Sequence, residues 1–145
     1  MNPFRSCLFA TALMLTAASG ARAAEPTPEH SAACVAALER EAEAMAEQFR
    51  RGKVEIEPEL LRRVQQGFAF IGSAYKQGLR DEEAKMMLKA AEKAQESLPP
   101  VELAERQAAC RAEGAELLNR ANVLERTFVN HAAQRRVDKL KRATG

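Results

Sequence analysis

The stretch PELLRRVQQGFAFIGSAYKQGLRDEEAKMMLKAAEKAQESLPP, residues 58–100, decides the fold. Leu61, Val64, Phe68, Ile71 and Tyr75 follow one another at steps of 3, 4, 3 and 4. That spacing lines one face of an α-helix, whereas a strand would repeat every second residue. Pro58 suits the first helical turn, where its missing N–H is no loss, and Gly78 stands where the helix should stop. The spacing therefore predicts a helix over 58–77. Asp81 then reads as an N-cap, with Glu82 and Glu83 favourable in the first turn. A second helix follows to Leu98 with an apolar face of Ala84, Met87, Leu88, Ala91, Ala94 and Leu98. Pro99-Pro100 breaks the chain.

The same period continues on both sides. Val35, Leu38, Ala42, Met45 and Phe49 predict a helix over 29–51, apolar on one face and rich in Glu and Arg on the other, stopped by Gly52. Glu39, Glu41, Glu43 and Glu47 read as its solvated face. Beyond the prolines, Leu103, Cys110, Leu117 and Leu124 fall seven apart, and Gly114, Ala121 and Phe128 complete the seam. One helix over 101–142 would be about 60 Å long, twice the length of its neighbours. Either it breaks, near Gly114 or Asn119–Asn122, or it overhangs. An overhanging half would present Leu124, Phe128, Val137 and Leu140 to a partner, which could be a second copy. The fold class is all-α: an up-down bundle of about four helices with a long C-terminal helix.

The N-terminus sets the compartment. Met1–Arg5 carries one positive charge, Cys7–Ala18 is an apolar run, and Ala21-Arg22-Ala23 ends it with small residues. This is the pattern of a secretory signal peptide cleaved after Ala23, and the run is too short to span a bilayer. Cys7 opens the apolar run instead of following it, so it is not placed for lipid modification. The alanine-rich cleavage site points to a bacterial periplasm. Residues 24–29 form a Pro-containing leader, expected to be disordered, and 30–145 form a single helical domain. No later apolar stretch has membrane-spanning length.

The formal net charge of +2 comes entirely from Arg5 and Arg22, so the mature chain balances its charges. Neutrality and compartment both argue against a nucleic-acid partner. Charge is spread unevenly. Residues 24–61 carry nine acidic and four basic side chains, and residues 118–145 carry seven basic and two acidic ones. Helix dipoles and attraction between packed segments are the favoured reading, and a basic surface for acidic partners or anionic lipid is the alternative.

Two cysteines remain after cleavage, Cys34 and Cys110. In an exported protein such a pair forms a disulfide. In an up-down bundle the two stand at similar levels of the first and last helices. Without a C-x-x-C, a redox role has no sequence support.

Within the central stretch, Phe68-x2-Ile71-Gly72-x2-Tyr75 is followed by Ala84-x3-Leu88 and then Ala91. This order of large and small residues over 65–98 resembles one tetratricopeptide (TPR) repeat, and it is similar to Sel1-like repeats as well. The resemblance implies a helix hairpin whose helices approach closely at Gly72, Ala84 and Ala91. It also implies protein–protein interaction. One copy is present, so the groove of stacked repeats is not implied.

Catalytic groups are not evident. His30 and His131 belong to no H-x3-H or H-E-x2-H pattern, and no phosphate loop or G-x-S-x-G occurs. Neither a metal nor a cofactor is expected. The sequence therefore favours an exported, non-enzymatic interaction or adaptor module with an unknown protein partner. Two other classes stay open. One is a periplasmic chaperone for unfolded clients. The other is a bundle holding haem between His131 and Met45, Met86 or Met87.

Overall fold

A computed structural model describes residues 24–143. The expected signal peptide, 1–23, lies outside the described residues. The protein is an all-α bundle with the helices α1 (Pro28–Arg50), α2 (Glu57–Lys76), α3 (Asp81–Glu96), α4 (Pro100–Arg120) and α5 (Val123–Arg142). A 3-10 turn, Val54–Ile56, leads into α2. Among the described residues, none of these helices is long and apolar enough to cross a membrane.

α1 is the hub. Cys34, Val35, Ala36, Ala37 and Leu38 are all buried. Five consecutive residues sweep more than one full turn, so α1 is covered on every side at this level, while Arg40, Glu43, Ala44 and Glu47 further along are exposed. α2, α3, α4 and α5 all pack on it. The single apolar face expected for this helix underestimates its burial, because small alanines let neighbours close over the remaining faces.

The core has two layers along α1. The upper one joins Cys34, Val35, Ala37 and Leu38 to Phe70, Cys110 and Leu117. The lower one joins Ala42, Met45 and Ala46 to Leu60, Val64, Ala133, Val137 and Leu140. α2 therefore runs antiparallel to α1 through both layers. α4 covers the upper layer and α5 the lower.

The last segment breaks. α4 ends at Arg120, and Asn122 starts α5 with a reciprocal cap. Its Oδ1 accepts from Glu125 N at 2.9 Å, and its own N–H donates to Glu125 Oε2 at 3.0 Å. A fifth helix replaces the single long one. It folds back beside α1 until Arg50 Nη1 donates to the Leu140 carbonyl at 2.7 Å. Gly114, one of the two expected break points, lies inside α4 and is used differently. A Cβ there would stand 2.9 Å from Gln66 Cβ and 3.2 Å from Phe70 Cε2. α4 and α2 leave no room for a side chain at this point.

The leader is anchored. Ser73 Oγ donates to Glu25 Oε2 at 2.6 Å, and Gln77 Nε2 donates to the Pro26 carbonyl at 2.6 Å. Thr27 Oγ1 caps α1 by accepting from His30 N at 3.2 Å. Residues 24–27 are thus tied to the end of α2, where a disordered leader was expected.

Ion pairs join the acidic first segment to the basic last one. Glu39 and Glu43 both face Arg136, and Lys141 reaches Glu57 at 2.5 Å. Glu41 is largely covered, one-fifth exposed. It stands 3.2 Å from buried Arg63 Nε and 3.0 Å from Arg111 Nη1, which ties α1 to α2 and α4. Burial pulls the Arg63 guanidinium below its usual pKa, against the opposing pull of Glu41 and Glu59.

Candidate functional site

Three features could act on other molecules, and each follows from the packing just described. The first is the shoulder at the start of α5. Val123, Leu124 and Phe128 are 78%, 79% and 67% exposed. Leu124 and Phe128 are one turn apart and share a face. The break at Asn122 resets the helical phase, so the buried stripe of α5 is Val129, Ala132, Ala133, Val137 and Leu140. The proposed four-residue surface therefore divides. Leu124 and Phe128 face outward, while Val137 and Leu140 lie in the lower core beside Met45 and Leu60. The seven-residue seam ends with α4, because the chain turns where the seam assumed continuity.

The second feature is an apolar groove of about 210 Å³ between α1, α2 and α3. Val35, Phe70, Ile71, Leu79, Ala84 and Leu88 line it. Three of these, Ile71, Ala84 and Leu88, are residues expected to pack the TPR-like hairpin. Exposed Tyr75 stands at the rim, where its hydroxyl donates to Asp81 and so links the end of α2 to the start of α3. That hydrogen bond to a carboxylate pushes the Tyr75 phenol above its usual pKa. Gly78 takes φ +97° in the turn, a conformation open to glycine at little cost.

The remaining hairpin residues do other work. Phe68 packs on the lower core, and Ala91 is half-buried on α3. Gly72 has nothing within 4 Å of a built Cβ, whereas Gly114 is crowded by Gln66 and Phe70 in a different contact, between α4 and α2. α3 lies chiefly on α1, and buried Gln95 donates from Nε2 to the Ala33 carbonyl at 2.7 Å.

The third feature surrounds the disulfide. Cys34 and Cys110 are joined, with Sγ atoms 2.04 Å apart and Cα atoms 5.3 Å apart. His30 lies one turn before Cys34 on α1. Its Nε2 is 2.7 Å from Glu113 Oε2 and 3.7 Å from Cys34 Sγ. Buried Phe70 meets the imidazole edge-on, with ring centroids 6.3 Å apart. Donor atoms of His30, Cys34 and Glu113 all lie within 4.8 Å of one another. While the disulfide is intact, Cys34 has no thiolate to offer a metal. Paired-histidine spacings do not capture this group, which holds one histidine. The signal that would have found it is His30-x3-Cys34 on one helix and Cys110-x2-Glu113 on another, both one-turn spacings.

The residues considered for haem differ in exposure, with Met87 half-buried on α3. Met45 fills the lower core, whereas Met86 and His131 are exposed.

No family model matches the chain, and neither a curated protein nor a solved structure matches it.

Proposed function

We propose that this chain is an exported, non-catalytic helical module that binds another protein through the α5 shoulder. The observation that carries this reading is the exposure of Val123, Leu124 and Phe128 together on one helix start. Large apolar side chains gathered on an otherwise charged surface mark interaction sites. An exposed Phe beside an exposed Leu keeps apolar surface in water at a free-energy cost, and a partner's apolar surface would relieve it by burying both. The groove beneath Tyr75 offers a second apolar contact, and the resemblance to a protein-binding repeat points the same way. Export to the periplasm is supported by the signal-like N-terminus and by the disulfide, which persists in oxidising compartments.

The test is cross-linking of the tagged protein in the intact periplasm, followed by mass spectrometry. One dominant partner, lost in Leu124→Asp/Phe128→Asp and retained in the exposed-surface variant Met86→Asp, is the expected result. Equal capture by the shoulder variant would exclude this surface. A broad set of unrelated clients would indicate a chaperone, and recovery of the chain itself would indicate self-association.

A further inference from the structure

The cluster at the disulfide contains more ligand chemistry than a structural crosslink uses. His30 and Cys34 stand one turn apart on α1, facing Cys110 and Glu113, one turn apart on α4. We propose that, when the Cys34–Cys110 bond is reduced, His30, Cys34, Cys110 and Glu113 bind one zinc ion.

The donor set suits that metal. Zinc takes thiolate sulfur, imidazole nitrogen and carboxylate oxygen in tetrahedral sites, at about 2.3, 2.0 and 2.1 Å. Those lengths place neighbouring donors about 3.4–3.8 Å apart. His30 Nε2 and Cys34 Sγ are already 3.7 Å apart. The His30–Glu113 contact of 2.7 Å must widen by less than an ångström, and the two sulfurs, now 2.04 Å apart, must separate to non-bonded distance. Cys110 Sγ lies outside the group of donors within 4.8 Å of one another, so once released it must turn toward His30 and Glu113 as well as away from Cys34. Two thiolates with one imidazole select a borderline ion over hard cations such as magnesium or calcium. The site has an entrance on the His30 side, since the imidazole is half exposed and Glu113 one-third exposed. Behind it, both sulfurs are buried.

The chemistry balances. A dithiol reductant transfers two electrons and two protons. The S–S bond breaks, Cys34 and Cys110 each become a thiol, and the reductant closes its own disulfide. Zinc then displaces the two thiol protons to solvent. The His30–Glu113 contact places a proton on Nε2 in the oxidised chain. Metal binding requires that proton to move to Nδ1 through solvent, leaving the Nε2 lone pair for zinc. Reoxidation by a disulfide reverses the sequence and expels the ion. The bundle then holds either a disulfide or a metal between α1 and α4, according to redox state.

Cobalt reports this site directly. The full-length mature chain is reduced anaerobically with a phosphine, which takes up the oxygen of water to become a phosphine oxide, and is titrated with Co²⁺. The expected result is thiolate-to-cobalt charge-transfer absorption with tetrahedral visible bands, saturating at one ion per chain and bleached by an equivalent of Zn²⁺. The oxidised chain shows none. His30→Ala and Glu113→Gln each weaken the apparent affinity about ten-fold or more, at least as much as loss of an outer-shell partner. Circular dichroism of the oxidised variants checks that they fold. Absence of the bands in the reduced chain overturns the proposal. Bands that are indifferent to both variants do so too, because two thiols alone would then be the site. If reduction melts the helices, one equivalent of metal must restore them, and failure to do so also counts against the site.

Discussion

At the scale of single residues, the close packing of this bundle converges on Gly114. A methyl group there would stand 2.9 Å from Gln66 Cβ and 3.3 Å from Gln66 Cα. Backbone cannot swing aside as a flexible side-chain tip can, so α4 would have to retreat from α2. Gly114→Ala is therefore expected to destabilise the fold by about 1–3 kcal/mol, the usual cost of overpacking, despite alanine's better helix propensity. Urea unfolding measures it, and a gain in stability would show that α4 sits less tightly than described. Phe128 gives the opposite case. It is two-thirds exposed and one position from buried Val129, so adjacent residues of one helix have opposite duties. Phe128→Asp should leave the urea midpoint almost unchanged, within the range of ordinary surface substitutions, about 0.5 kcal/mol. Val129→Asp should unfold the chain, because it places a charge in the core.

At the scale of elements, α5 depends on how it starts. Asn122 and Glu125 satisfy each other's backbone N–H groups, and Lys76 holds the same Glu125 carboxylate at 2.5 Å. The Lys76 hydrogen bond, then the one from Asn122 N, hold Glu125 below its ordinary value of 4.5. A depressed carboxyl stabilises the fold fully above its unfolded value and loses that contribution as pH falls through its folded one. The start of α5 should thus loosen in acid below about pH 4.5, and Glu125→Gln should flatten that part of the stability profile. Asn122→Ala removes the cap and is expected to cost about 1 kcal/mol. Thermal melts from pH 3 to 7 check both. An unaltered acid limb in Glu125→Gln would move the transition to other carboxylates. The elements themselves were legible, because apolar steps of three and four report helix locally and Gly52, Gly78 and Pro99 punctuate them. The phase of α5 was not. Leu124 continues the seam of Leu103, Cys110 and Leu117 by spacing alone, and only the turn at Asn122 rotates it into solvent. The capping pair Asn122-x2-Glu125 was present in the sequence as the signal for that turn.

At the scale of the molecule, the two core layers are held by different means. The pairing of Cys34 with Cys110 was legible from compartment and helix level, but the encirclement of α1 was not. Alanine at positions 36, 37 and 46 carries no strong apolar signal, yet these small side chains let four helices close around one. The lower layer rests on large aliphatic residues from three helices. The upper layer attaches α4 through few buried residues, Cys110, Gly114 and Leu117, with Gln107 Nε2 donating to the Ala37 carbonyl at 3.3 Å and the Arg111–Glu41 pair at its side. The disulfide therefore reinforces a helix that few buried apolar side chains hold in place. Its sequence separation of 76 corresponds to about 4–5 kcal/mol on the chain-entropy model. Reduction in the presence of a chelator, so that no metal substitutes for the bond, should lower stability by that order. It should do so unevenly. Amide hydrogens of α4 should exchange sooner than those of α5, whose Val137 and Leu140 stay within the lower layer. Hydrogen exchange read by mass spectrometry separates the cases. Selective exposure of α4 would mark two layers of distinct stability, and simultaneous loss of protection in α4 and α5 would mark one cooperative unit spanning both.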